Sequence, residues 1–193
     1  GSKTRTYSRK TSDGRTVETL HCDNPQCDSQ ITRRFVHFAS KKAMNIEGLS
    51  EATLEKFLNL GYLHSFQDIY HLEEHREDIV ALDGYGEKSF DRLWESINAS
   101  RRTSFVRYLV SMDIPMIGRT KSRILDTVFS GNLTAFEQAA VGDYDFTQLE
   151  DFGEILNHNI HSWFADEANL DLWKNLQNEF TFEQRKEETI MTK

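Results

Sequence analysis

Nowhere in this 193-residue chain do apolar residues run for the ~20 positions that a membrane span needs, and no charged-then-apolar signal segment opens it. No membrane partner is therefore expected. Cysteine is nearly lacking as well. Cys22 and Cys27 are the whole complement, too few for a disulfide-stapled mini-protein, and a soluble chain of the cytoplasm, a reducing compartment, is expected. Proline is equally scarce: with only Pro25 and Pro115 to interrupt it, most of the chain is free to be helical. A surplus of positive charge is also missing. Asp and Glu number 31 against 23 Lys and Arg, a formal net charge of -8, which taken alone argues against a nucleic-acid partner.

The total conceals an uneven distribution. Residues 1–45 carry nine basic side chains, Lys41 and Lys42 among them, against four acidic ones. In residues 99–123, Arg101, Arg102, Arg107, Arg119, Lys121 and Arg123 face only Asp113, whereas residues 140–193 hold 12 acidic and 4 basic side chains. The acid sits mainly at the far end, and a basic footprint for nucleic acid survives upstream of it.

Apolar residues recur at three-to-four spacing through most of the chain, which predicts a mainly α-helical body. In residues 86–99, Phe90, Leu93, Trp94 and Ile97 form one stripe while Glu87, Lys88, Asp91, Arg92 and Glu95 lie elsewhere around the helix. Similar stripes are Leu54, Phe57 and Leu58 ahead of Gly61, and Ile124, Leu125, Val128 and Phe129 ahead of Gly131. The first thirty residues read differently. Thr, Ser, Asp and Gly dominate there, and Ser12-Asp13-Gly14-Arg15 reads as a turn between two short strands. The expected organisation is a small irregular or β module over residues 1–32, a helical domain over 33–180, and a charged linker or frayed helix over 181–193.

A repeat emerges when helix starts are aligned. Ile46-Glu47-Gly48-Leu49-Ser50, Leu82-Asp83-Gly84-Tyr85-Gly86, Ile114-Pro115-Met116-Ile117-Gly118 and Leu149-Glu150-Asp151-Phe152-Gly153 each precede an amphipathic stretch, and their last positions are 36, 32 and 35 residues apart. Each unit reverses the chain sharply and opens a helix whose first N–H groups, at the positive end of the helix dipole, form a ready phosphate site. Glycine suits such a turn because it takes positive φ and lets another backbone come close. One glycine turn between antiparallel helices is ordinary punctuation. Fourfold repetition and local charge favour DNA contact, with Gly48, Gly84, Gly86, Lys88, Gly118, Arg119 and Lys121 as candidate binding residues. Lys41 and Lys42 support the first unit, although Ser50 replaces its second glycine. In the fourth, Asp151 fills a glycine position between Glu150 and Glu154, so core packing is expected there.

Other chemistry is thin. Cys22-Asp23-Asn24-Pro25-Gln26-Cys27 is a C-x4-C knuckle, as compatible with free thiols as with half of a zinc site. His71 and His75 have helical spacing but no zinc-protease glutamate, and read as a solvated face. Residues 84–89 lack both the glycine spacing of a phosphate loop and a preceding strand. Trp94, Trp163 and Trp173 sit in apolar stripes and read as core. No catalytic constellation emerges, and no catalytic residue is assigned.

Residues 22–30, residues 37–49 from His37-Phe38-Ala39-Ser40-Lys41-Lys42-Ala43-Met44 to Leu49, the second and third turns, and the Asn169 to Leu176 helix together resemble the bacterial NAD-dependent DNA ligases across nearly the whole chain. That resemblance implies the second half of a four-cysteine zinc finger followed by four helix-hairpin-helix motifs. In that family these help to encircle nicked duplex DNA from its minor-groove side, so that the parent enzyme can seal nicks in replication and repair. Carried over, Cys22 and Cys27 are the second pair of zinc ligands. The first pair is not in this chain, so weak zinc binding or none is expected. The family's adenylated lysine lies in a Lys-x-Asp-Gly motif, but here Thr11 precedes Asp13-Gly14 and Ala81 precedes Asp83-Gly84. NAD and magnesium are expected on a part of the enzyme outside this chain, and a monomer that grips DNA without ligating it is the reading. Two rivals compete. A helix-hairpin-helix glycosylase would need a Gly/Pro-rich loop and a catalytic Asp after its hairpin, and a helical protein-interaction scaffold would use all four hairpins for packing alone.

Overall fold

The computed structural model describes residues 4–10, 16–22 and 28–184. Two strands open it. β1 (Thr4–Lys10) and β2 (Thr16–Cys22) pair antiparallel with Thr4 opposite Cys22 and Lys10 opposite Thr16. This is the pair of short strands expected around the Asp13-Gly14 turn, although the turn itself and Cys27 lie outside the described residues.

The rest is helical. α1 (Asp28–Ala39) is followed by α2 (Glu51–Asn59), α3 (Phe66–Ile69), α4 (Arg76–Val80) and the long α5 (Glu87–Ser100). Then come β3 (Arg102–Thr103), α6 (Phe105–Ser111), α7 (Arg119–Val128), α8 (Leu133–Val141), α9 (Glu154–Ala165), α10 (Glu167–Leu176) and β4 (Thr181–Phe182). Helix starts follow local chemistry. Asn132 and Asp166 accept from backbone N–H groups three residues on, and Ser104 does the same for Arg107. Among the described residues no helix is long and apolar enough to cross a membrane.

One continuous core runs from Phe35 to Leu176. On α5 the stripe Phe90, Leu93 and Ile97 is buried as its spacing predicts, whereas on α7 Val128 is 41% exposed, so the apolar stripe there is narrower than its sequence suggests. Tyr108 and Trp173 sit at the centre: the Tyr108 hydroxyl donates to the Trp173 carbonyl at 2.6 Å, and the rings lie 4.9 Å apart. Burial pushes the phenols of Tyr70 and Tyr108 well above the ordinary range, so both are neutral hydrogen-bonding groups.

Two boundaries differ from the sequence reading. α1 begins at Asp28, before the expected start of the helical domain, with Thr32 and Phe35 already buried. At the far end, Thr181 and Phe182 belong to the folded body. β4 pairs in parallel with β3, Thr181 N donates to Arg101 O at 2.7 Å, and the Phe180 and Phe182 rings stand 5.7 and 5.2 Å from Tyr108. The charge of residues 183–188 dominates the sequence signal, and the two aromatic anchors just before it find partners only in three dimensions.

Candidate nucleic-acid interface

The four aligned units adopt one backbone design. Their third residues, Gly48, Gly84, Met116 and Asp151, all take positive φ, at 92°, 78°, 65° and 61°. In the last three, the fourth residue's N–H donates to the first residue's carbonyl: Tyr85 to Leu82 at 3.0 Å, Ile117 to Ile114 at 3.0 Å and Phe152 to Leu149 at 3.1 Å. Positive φ at the third position with that bond describes a type II turn, which favours glycine there and proline at the second position, where Pro115 stands. Asp tolerates this conformation through its short polar side chain, and Met is the costliest occupant of the four. The first and fourth turn residues point inward. Ile46, Leu49, Ile114, Ile117 and Phe152 are all buried.

The fifth residues, Ser50, Gly86, Gly118 and Gly153, are extended and cap α2, α5, α7 and α9. Gly86 itself uses none of glycine's conformational freedom. Its φ of -165° is open to any residue, and a Cβ at Gly86 or Gly118 would meet nothing within 4 Å. The conformational demand falls on Gly84 instead. What glycine at 86, 118 and 153 does is leave the helix ends without a side-chain cap, their first N–H groups open to an anion. Ser50 does the opposite. Its Oγ accepts from Thr53 N at 3.3 Å, so the first unit spends one of those donors on itself.

The units dock in pairs. In the first pair Glu47 N donates to Ser96 Oγ of α5 at 2.8 Å, while the Tyr85 hydroxyl of the second turn stands beside Thr53 of α2. In the second pair Asn159 of α9 donates to Pro115 O at 2.9 Å, while Lys121 of α7 donates to Asp151 O at 2.6 Å and lies 5.3 Å from the centre of the Phe152 ring. Thr53 and Lys121 each stand three residues past their cap, so the two pairs use the same face of the same helix turn. A Cβ on Gly48 would touch Leu93 at 3.4 Å, which gives the first turn a packing reason for glycine as well.

This geometry reallocates the basic residues. Lys88 and Arg119 are exposed beside the open ends of α5 and α7 and make no ion pair among the described residues, and Arg123 is exposed on α7. Lys121 is held against the fourth turn. Arg107 donates to the carbonyls of Lys41 and Ala43 at 3.1 and 2.8 Å and so holds the loop that carries exposed Lys41 and Lys42. Arg101 is taken up by Tyr70 O and Glu179, and Arg102 pairs with Glu183. At the fourth unit Glu150, Asp151 and Glu154 are exposed, and an anion would meet repulsion there. His71, read as a solvated residue, bonds Glu179 at 2.8 Å, and His75 stacks on Tyr62. Sequence reasoning missed the docking roles of Ser96, Arg107 and Asn159, for which no local pattern exists.

Metal chemistry has little to stand on in the described residues. Cys22 ends β2 but its side chain is not described, Cys27 lies outside, and among the described residues no group of three or more His, Cys, Asp or Glu could hold an ion.

Most of the chain is homologous to one stretch of several proteins named DNA ligase. It is 35% identical over 168 residues to that of Ruminiclostridium cellulolyticum, covering 87% of this chain and 25% of the relative. It is 37% identical over 149 residues to that of Spiroplasma citri (77% and 22%) and 36% identical over 146 residues to that of Acinetobacter baylyi (76% and 21%). The chain therefore spans about a quarter of the length of these relatives. No protein-family model matches it.

Proposed function

We propose that this chain is the DNA-gripping portion of an NAD-dependent DNA ligase, a monomer of the cytoplasm that holds nicked duplex DNA through helical hairpins while another part of the enzyme carries out ligation. One observation carries the reading. The same positive-φ turn recurs at four helix starts, and at α5 and α7 the uncapped N–H groups stand beside an exposed cation, Lys88 or Arg119. Each such end can take a phosphate oxygen by backbone N–H donation, with the helix dipole and the cation adding charge attraction. Contacts of that kind position a protein on DNA without reading bases, which suits an enzyme that meets nicks in any sequence. Gly48 and the Lys41–Lys42 loop form an auxiliary contact, and the fourth hairpin is a packing partner. NAD and magnesium belong to the rest of the enzyme, because this sequence has no Lys-x-Asp-Gly motif. Zinc belongs to a four-ligand finger to which Cys22 and Cys27 contribute two thiolates.

The test is a titration of nicked duplex against the full chain over a range of salt. Each phosphate contact releases counterions, so Lys88→Ala and Arg119→Ala should each lower the slope of log affinity against log salt by about 1. The docking of Lys121 onto Asp151 favours the scaffold as a second reading. That reading gains if both variants keep the affinity and slope of the parent. The chain alone should form no covalent adenylate with NAD and seal no nick. An adenylated lysine in a preparation free of host ligase would overturn that assignment.

A further inference from the structure

Among the large apolar side chains described, Met116 is the most exposed, at 68%, and it stands at the apex of the third turn where the sister turns carry Gly48, Gly84 and Asp151. Its φ of 65° is one that an unbranched apolar residue adopts at a cost, so the turn does not choose methionine for its backbone. The apex is also firmly held. Pro115 restricts the preceding φ, Pro115 O accepts from Asn159, and Ile117 N closes the turn onto Ile114 O. A protruding apolar side chain is thus fixed at the rim of the uncapped α7 end, three residues before exposed Arg119.

We propose that Met116 is an apolar wedge that seats in the minor groove of duplex DNA, against the sugar and base-edge walls, when the α7 end and Arg119 hold the adjoining phosphates. The inference rests on the DNA-binding reading above. Charge selects the occupant: open N–H groups and an exposed guanidinium beside the tip attract a polyanion. Size agrees. One projecting side chain is far smaller than a protein interface requires, while single apolar side chains suffice to enter minor-groove base steps. The minor groove is about 6 Å wide and nearly uniform in its hydrogen-bonding pattern, so a thioether there senses groove shape and step deformability without reading sequence. Ile155, the next most exposed of the described apolar residues at 64%, stands beside Glu154 and close to Glu150 and Asp151, where a phosphodiester is repelled, and has no part in the contact.

The experiment measures affinity of the full 193-residue chain for fluorescently labelled nicked duplex across salt, for Met116→Gly, Met116→Asn, Ile155→Ala and Arg119→Ala. Gly and Asn both suit positive φ, so thermal midpoints of the Met116 variants should match or exceed the parent. Their affinities should nevertheless fall about tenfold at every salt with the slope unchanged, the signature of lost apolar burial rather than a lost phosphate. Ile155→Ala should bind as the parent does. If both Met116 variants bind as the parent does while Arg119→Ala loses about one unit of slope, the wedge is wrong and the DNA reading stands. If the Met116 variants change the slope, Met116 acts on phosphate contacts and the wedge is equally wrong. If the parent does not bind, the DNA reading itself falls and takes the wedge with it; if Arg119→Ala leaves affinity and slope untouched, the α7 contact falls and the wedge falls with it.

Discussion

The third and fourth hairpins are built alike and charged oppositely. Both have a positive-φ third residue, a closing bond of 3.0 to 3.1 Å and an uncapped glycine before a long helix. Past that glycine the third continues Arg119-Thr120-Lys121 and the fourth Glu154-Ile155-Leu156. The backbone alone therefore does not decide what a hairpin does. A pair locked tip to helix by Lys121 and Asn159 has one end suited to phosphate and one suited to packing, and the side chains make the difference.

The largest expected effect tests the shared backbone. Gly84→Val places a β-branched residue at φ 78° and should cost about 2 kcal/mol of stability in denaturant unfolding, whereas Gly86→Val, in extended backbone with open space around it, should cost little. Equal losses would mean that the second glycine carries a demand which its conformation does not reveal. The valine at 86 should instead weaken DNA binding, by obstructing backbone approach to the α5 end.

Next comes charge on the third hairpin. Arg119→Ala should lower the salt slope by about 1 and weaken nicked duplex binding several-fold at low salt, with stability unchanged. Lys121→Met separates the two roles that a basic residue can have here. It removes both the bond to Asp151 O and the charge over the Phe152 ring, so stability should fall by about 1 kcal/mol while the salt slope holds. A slope that falls as far as it does for Arg119→Ala would return Lys121 to the phosphate contacts expected from its position in the sequence. The smallest effect belongs to the fourth hairpin. Glu150→Ala or Glu154→Ala should leave affinity unchanged or raise it slightly, since removing a nearby carboxylate only relieves repulsion. A marked loss would show that hairpin to be a binding element after all.

Local pattern alone determined a good deal: the helical body, the four turns and their spacing, the strand pair around Asp13-Gly14, and the core places of Phe90, Leu93, Ile97 and Trp173. Each follows from periodicity or turn chemistry confined to a few neighbouring residues. Which glycine bears the strain was not legible, because Gly84 and Gly86 are the same letter and only φ separates them. Nor was the fate of the cations. Arg101, Arg107 and Lys121 look as available as Arg119 in a count of charge, yet carbonyls of residues 70, 41, 43 and 151, distant in the chain, take them up. The tail at 181–183 was likewise claimed by β3 and Tyr108. Tertiary structure alone decides such matters, because a buried or half-buried carbonyl accepts whichever donor the fold brings within about 3 Å, and sequence distance places no limit on that choice.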